Sequence, residues 1–409
     1  MGSYVTGLGA VTPLGNSVPE TWNGMVEGRS GITSIKSFDT GDCPVTIGGE
    51  IRDFEPTHHM PPTEVRRMDP YAQYAVAAAH QALEQAGVTP GVCPPERLCV
   101  LVGSGYGTTK LDADGVRVFD SKGARAVRPY LSAYAAIDIV TAYLSMELGA
   151  MGESFAVSAA CASGTVVIGE AHRLIERGDA DIVVAVGAEN SMSGKDLALT
   201  AATRALTSKF NDNPSAASRP FDRQRDGFVL SSGAGAVVLE SAESVRRRGA
   251  TPLAEIAGYG AASDAHHITA PHPEGLGARF AMRRALAAAG VPAGEVDYIN
   301  AHGTSTQLND RTETFAIQAE LGDRSREIPV SSTKSTTGHM IGAAGAVELI
   351  ACVKALETGW VPPTVNCDDP EFPEMNFVAN KAQQHTLRVA MSNSFGFGGH
   401  NAVLVVKAC

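Results

Sequence analysis

One pattern occurs twice in this 409-residue chain, and it narrows the fold more than any other feature. Val5-Thr-Gly-Leu-Gly9 is echoed by Ile256-Ala-Gly-Tyr-Gly260. Gln81-Ala-Leu-Glu-Gln-Ala-Gly-Val88, followed by Leu98-Cys-Val-Leu-Val-Gly-Ser-Gly-Tyr-Gly-Thr-Thr109, is echoed by Arg284-Ala-Leu-Ala-Ala-Ala-Gly-Val291 and Asp297-Tyr-Ile-Asn-Ala-His-Gly-Thr-Ser-Thr306. Both copies run helix, Ala-Gly-Val, spacer, strand, Gly/Thr turn. The run after Cys161 has its own counterpart in Gly338 to Thr358. Strand–helix alternation predicts an α/β fold of mostly parallel sheets covered by helices. The repeat predicts two similar halves, residues 1–249 and 250–409, divided at the turn Ala250-Thr-Pro252 and packed back to back with the site between them.

Other elements follow from local signals. Gly7 and Gly9 resemble a dinucleotide fingerprint, but Thr12 stands where its third glycine belongs and no helix opens there, so a nucleotide site is rejected. A short helix is expected over about 17–28, capped near Ser17, and a loop-rich stretch over about 30–65. Tyr71 to Ala86 is an amphipathic helix stopped at Gly87. Residues 110–135 show charge, Tyr130 and little periodicity, and read as an excursion over the active site or a subunit interface.

Lys and Arg total 33 against 44 Asp and Glu, a net charge of −11, with no basic run, which argues against nucleic acid as the main partner. No apolar run is long enough to span a membrane and the first residues enter a strand, so a cytoplasmic protein is expected. Seven scattered cysteines without a Cys-x-x-Cys pair indicate neither zinc nor a disulfide framework, and no bound cofactor is expected.

Four turns carry residues capable of chemistry. Val157-Ser-Ala-Ala-Cys161-Ala-Ser-Gly-Thr165 reads as strand, sharp turn, thiol, helix. A thiol at a helix start meets unpaired N–H groups and the positive dipole end, so a thiolate is expected there. A lone cysteine is more often a buried structural residue. Asn300-Ala-His302-Gly-Thr-Ser-Thr306, Ser331-Ser-Thr-Lys334-Ser-Thr-Thr-Gly-His339 and Asn393-Ser-Phe-Gly-Phe397-Gly-Gly-His400 also follow strands, where open α/β sheets place their sites. Singly, each histidine is more often structural. Together, a Cys and two His in Gly/Ser/Thr turns point to acyl-thioester chemistry, with backbone N–H groups at Cys161 and in the 396–399 loop holding an oxyanion. His400 runs directly into a strand and reads as structural.

These motifs resemble the β-ketoacyl-(acyl carrier protein) synthases of the thiolase fold over nearly the whole length, from Thr6-Gly-Leu-Gly-Ala-Val-Thr-Pro-Leu-Gly15 to the glycine loop. The resemblance implies duplicated halves in layered α-β-α-β-α packing and extension of an acyl chain by two carbons through decarboxylative condensation with malonyl-(acyl carrier protein). It implies that Cys161 is the nucleophile, and that His302 and His339 support decarboxylation. Lys334 would order the site, paired with Glu348, and Phe397 would gate it with its N–H in the oxyanion hole. Thr304 and Thr306 would contact the phosphopantetheine arm, with Gly398 and Glu348 also at the substrate site. Arg66, Arg67, Arg204 and Lys209 are candidates for docking the acidic carrier protein. Gln307-Leu-Asn-Asp310 departs from the Pro-x-Gly-Asp usual in housekeeping fatty-acid synthases and is similar to the ketosynthase subunit of bacterial type II polyketide systems. A reducing, polyene-like polyketide enzyme, dimeric with a chain-length-factor-like companion, is therefore expected. The alternative is a homodimeric fatty-acid elongation synthase II. A non-catalytic chain-length partner would lack Cys161, and a non-decarboxylating thiolase would need a cysteine within residues 393–401, where there is none.

Overall fold

A computed structural model describes residues 2–409. Ten strands form its main sheet: β1 (Ser3–Val11), β2 (Leu98–Gly103), β3 (Ser154–Val157), β4 (Ile182–Glu189), β5 (Gly233–Ser241), β6 (Ala254–Ser263), β7 (Tyr298–Asn300), β8 (Val330–Ser331), β9 (Val389–Gly396) and β10 (His400–Ala408). Seven helices among the described residues have ten or more residues: α1 (Pro70–Ala86), α2 (Thr109–Lys122), α3 (Ile139–Leu148), α4 (Ser163–Glu176), α5 (Leu276–Ala289), α6 (Gln307–Leu321) and α7 (Ala344–Thr358).

The strand order is β8-β7-β9-β10-β6-β1-β5-β4-β2-β3. Its two halves are copies. β1, β2, β3, β4 and β5 hold the places that β6, β7, β8, β9 and β10 hold on the other side. The halves join where β1 and β6 pair antiparallel, Ser3 opposite Ile256. The expectation of mostly parallel sheets is corrected here. β2 runs parallel to β3 and β4, but β5 runs antiparallel to both β4 and β1, and the second half repeats this. The physical reason is the last connection of each half, which brings the chain back alongside the strand it left: Gly396 to His400 is a tight reversal, and in the first half residues 190–232 return by a longer excursion that holds the short helix Gly194–Ala201.

The echoed glycines explain the halves' outer layers. A Cβ on Gly9 would lie 1.8 Å from the Ala78 carbonyl oxygen, and one on Gly7 2.0 Å from that of Ala82. Gly260 and Gly258 meet Ala281 and Ala285 of α5 at 2.1 and 2.3 Å in the same way. The pattern that resembled a nucleotide fingerprint is a groove in which a helix backbone lies directly on a strand. α1 begins at an Asp69 cap that accepts from the Tyr71 N–H and ends at Gly87 in the left-handed conformation, as the sequence predicts.

Between the two halves of the sheet lie α4 and α7, so the layers run helix, half-sheet, helix pair, half-sheet, helix. Their contact is also close: a Cβ on Gly164 would sit 2.8 Å from the Ala346 backbone nitrogen. Both helices belong to the central apolar cluster, with Val167, Ile168 and Ala171 of α4 against Ala346, Val347 and Ile350 of α7. Stacking the two halves thus brings the N-terminal tips of α4 and α7 side by side.

Residues 110–135 are largely helical: α2 covers thirteen of them, to Lys122, and a short helix follows at Leu131–Tyr134. The apolar pattern was masked because Leu111 alone is buried, while Val116 and Phe119 face outward. None of these residues lines the cavity described next.

Candidate active site

Cys161 sits just before α4, one residue ahead of its cap position Ala162. The turn is strained: Ala160 has φ +48°, a conformation that costs a non-glycine residue on the order of 1–3 kcal/mol. Ser163 holds it, its Oγ donating to the Ala160 carbonyl at 2.7 Å while accepting from the Ala159 N–H at 2.9 Å. The glycine loop closes from the other half. A Cβ on Gly396 would lie 2.8 Å from the Ala159 carbonyl oxygen.

The expectation of a thiolate is corrected. Cys161 is buried, and loss of solvent pushes its thiol up to about 11. The Lys334 ammonium and the N–H groups of Phe397 and of Cys161 itself act the other way, and the Glu189 charge adds to the rise. The resting sulfur is a thiol because burial outweighs the helix-end donors.

His302 follows β7 and His339 follows β8. Each backbone is fixed: the His302 and Gly303 N–H groups donate to the Glu313 carboxylate at 2.8 Å each, and the His339 N–H donates to the Val229 carbonyl at 2.7 Å. Asn393 donates to the same carboxylate at 3.1 Å, tying β9 to it. The rings stand edge to face with centroids 5.4 Å apart, and Phe228 flanks His339 at 5.2 Å. Burial first, then the Lys334 charge, hold both imidazoles well below the usual histidine range. His302 Nδ1 and both ring nitrogens of His339 have no hydrogen-bond partner among the described residues. Neutral rings with unspent nitrogens can exchange hydrogen bonds with a substrate.

Cys161, His302 and His339 line one cavity of about 320 Å³. Thr304, Thr306, Phe397 and Arg204 line it too, as do Gln307, Leu308 and Asn309 at the start of α6. Thr304 and Thr306 hydroxyls bond each other at 2.9 Å. Lys334 and Glu348 form a buried ion pair outside the lining, both under 3% exposed. Glu348 therefore meets Lys334 and not the cavity. Gly398 also lies outside; its N–H is spent on the Ile268 carbonyl at 2.7 Å, which leaves Phe397's N–H as the loop amide facing the sulfur. Of the four docking candidates, only Arg204 reaches the cavity wall. Arg67 pairs with Glu64 at 2.9 Å and stacks over Tyr134, while Arg66 and Lys209 are exposed away from the lining. His400 is exposed at the start of β10, against Gly398.

Three groups of this site were missed in the sequence. Glu313 and Asn393 clamp His302, and Glu189 lies near the turn that carries Cys161. Glu189 gave one signal, a carboxylate ending an otherwise apolar strand.

The β-ketoacyl synthase N-terminal domain matches residues 4–244, and its C-terminal domain residues 253–368. The chain is 42% identical over 405 residues to the 3-oxoacyl-(acyl-carrier-protein) synthase 2 of Synechocystis sp. and to that of Staphylococcus aureus, covering 98% of this chain and 97% of each relative. Its structure is similar to the ishigamide ketosynthase/chain length factor, with TM-score 0.91 and 35% identity over 100% of this chain and 99% of that one. It is also similar to a type II polyketide synthase acyl-carrier protein in complex with its ketosynthase bound to the hexaketide, with TM-score 0.91, 29% identity and the same coverage. The layered, duplicated architecture is thiolase-like, as in these neighbours. With a thiol and two neutral imidazoles in one cavity of that architecture, the chain belongs to the β-ketoacyl synthase family.

Proposed function

We propose that this cavity performs a decarboxylative Claisen condensation on carrier-bound thioesters, with Cys161 holding the growing chain. The observation that supports it most is the meeting of one buried thiol with two neutral imidazoles from strand-end turns of the other half. In the first step Cys161 attacks the acyl thioester. Its proton passes through an imidazole to the departing carrier thiol, and the N–H groups of Cys161 and Phe397 take the oxyanion. In the second step a malonyl thioester loses CO2, and the electron pair of the broken bond becomes the enolate. His302 and His339 donate to the enolate oxygen, which their neutral state permits. The carbanion attacks the acyl carbonyl on Cys161 and the sulfur leaves, giving a 3-oxoacyl chain two carbons longer on the carrier. Lys334, held by Glu348, sets the local field, and Gly398 shapes the loop carrying Phe397. Thr304 and Thr306 contact the phosphopantetheine arm, which is substrate carrier and not resident cofactor. The acidic carrier docks around Arg204, with Arg66, Arg67 and Lys209 as outlying contacts. The enzyme acts as a dimer in polyketide extension of the reducing, polyene type, paired with a chain-length-factor-like companion; the likeness to the ishigamide ketosynthase/chain length factor supports that choice.

A second reading has its own support. The 42% identity to two 3-oxoacyl-(acyl-carrier-protein) synthases 2 favours a homodimeric fatty-acid elongation enzyme. One experiment addresses both. Purified chain is mixed with carrier protein bearing a radiolabelled acyl group, then with malonyl carrier protein, with and without a companion subunit. Covalent label lost in Cys161→Ala and a product two carbons longer are expected. Label that persists in Cys161→Ala rejects the nucleophile, and turnover by the chain alone selects the fatty-acid reading.

A further inference from the structure

Glu189 is the one fully buried acid close to Cys161 that the condensation leaves unused. It ends β4 at 0% exposure. Its carboxylate accepts from the N–H of Gly105 at 2.7 Å, the N–H of Tyr106 at 3.2 Å, the Ser104 hydroxyl at 3.1 Å and the N–H of Gly342 at 3.1 Å. The first three donors belong to the turn after β2. The fourth belongs to the turn that opens α7 in the other half, so this side chain joins the two halves.

The joint lies against the turn that carries the thiol. A Cβ on Gly105 would lie 2.7 Å from the Ile341 side chain, 2.9 Å from the Glu189 carboxylate and 3.5 Å from the carbonyl oxygen of Ala160, the residue before Cys161. A Cβ on Gly342 would lie 2.5 Å from the Gly105 nitrogen. Ile341, held at φ +45°, packs in one apolar cluster with Cys161 and Phe397. Four donors require a group that only accepts, which a carboxylate is and an amide is not. None of the four donors is a cation, so the charge stays unneutralised in a low-dielectric interior. The ionisable groups facing it are Cys161, Tyr71 and Tyr106, and its charge opposes ionisation of each. Lys334 acts on Cys161 with the opposite sign. Burial itself lifts Glu189 to about 7, against its four donors.

We propose that Glu189 is a positioning residue of the condensing site: its carboxylate clamps the turn after β2 to the turn that opens α7, against which the Ala160–Cys161 turn is seated, and it sets a negative charge beside the thiol. The inference rests on the reading of Cys161 as nucleophile for its meaning, and its test does not require that reading. The test is the rate of iodoacetamide alkylation at the Cys161 peptide, followed by mass spectrometry on the full chain between pH 7 and 9. Glu189→Gln, which removes the charge and turns one accepting oxygen into a donor, is expected to speed alkylation at pH 8 by up to about tenfold, the effect of one unit in the thiol pKa. Glu189→Asp, which keeps the charge, is expected to stay within about twofold of the parent chain. Thermal denaturation identifies the folded variants. Should both fail to fold, Ser104→Ala carries the test. Losing that donor leaves less charge on Glu189 near pH 7, so a smaller acceleration in the same direction is expected. An unchanged rate in Glu189→Gln, or in Ser104→Ala where that variant stands in, overturns the proposal, as does equal acceleration in the Gln and Asp variants. Acyl label that persists in Cys161→Ala would remove the nucleophile but leave this rate effect in place, so the two outcomes are separable.

Discussion

At the scale of single residues, the site is set by charges that burial leaves few ways to neutralise. Lys334 and Glu348 are both under 3% exposed and find each other. Removing one strands the other, and breaking such a pair costs about 3–5 kcal/mol, whereas replacing both by neutral groups of similar volume is often nearly neutral. Lys334→Ala should therefore lower guanidinium stability by that amount, and Lys334→Met with Glu348→Gln should recover most of it. Both variants should slow Cys161 alkylation, since the ammonium is what draws the thiol down. Equal stability loss in single and double variants would show that the pair is not the coupled unit described. The two imidazoles give a pH dependence of definite sign. Their folded values lie well below the ordinary 6.5. Above 6.5 neither state binds the proton. Below it the unfolded chain takes protons that the folded chain refuses, so this contribution is lost as pH falls from 6.5 toward the folded values. Glu313, lifted by burial to about 7, contributes with the opposite sign, its share fading as pH rises toward that value. Comparison with His339→Asn isolates the histidine part: between pH 6.5 and 5 the parent chain should lose stability more steeply than the variant. Parallel curves would contradict the neutral buried ring.

At the scale of elements, the glycines facing α1 and α5 mark where helices sit directly on strands. Gly9→Ala would put its methyl carbon 1.8 Å from the Ala78 carbonyl oxygen, a backbone atom that cannot rotate away. The helix must shift, and overpacking of this kind costs about 1–3 kcal/mol or more. Gly294→Ala, with nothing within 4 Å of its Cβ, should stay within about 0.5 kcal/mol of the parent. Thermal melting of the two variants side by side is the measurement, and equal melting temperatures would refute the close approach. These glycines also show what the sequence does reveal. The repeat is readable because each half buries its helix on its strand through the same pair of missing side chains. Cys161, His302 and His339 are readable because small residues must surround a thiol and two rings at strand ends. Strand direction is not, because β5 and β10 are as apolar as parallel strands and only the returning connection sets them antiparallel. α2 is not, because its apolar residues lie on the outward face. The thiol's ionisation is not, because it depends on burial by segments far apart in the chain. Glu189 and Glu313 escape for the same reason: their donors come from turns up to 153 residues away.

At the scale of the whole molecule, the two halves are alike in topology and unlike at their edges. β8 is covered: Val330 exchanges hydrogen bonds with the chain at Asn376 and Val378. β3 pairs on one side with β2, and its outer residues Ser154–Val157 are partly or fully exposed. An open edge strand is a site of strand addition unless something covers it. Large apolar side chains stand round it. Met146 and Met151 are each 76% exposed, and Ser145 beside Met146 contacts Ser154 of β3 at 3.4 Å. A second thiolase-like chain, placed edge to edge at β3, would cover this surface and continue the sheet, which supports the dimer proposed above. The expected outcome in light scattering is twice 42.5 kDa for the chain alone if the pair is of identical subunits, and 42.5 kDa plus the companion's mass, reached only with the companion, if it is not. Met146→Glu with Met151→Glu places two carboxylates on the rim of β3 without touching the cavity. It should return the particle to a single 42.5 kDa chain with Cys161 alkylation still measurable. A doubled mass that survives both substitutions would place the partner on another face and leave the open edge of β3 without a role.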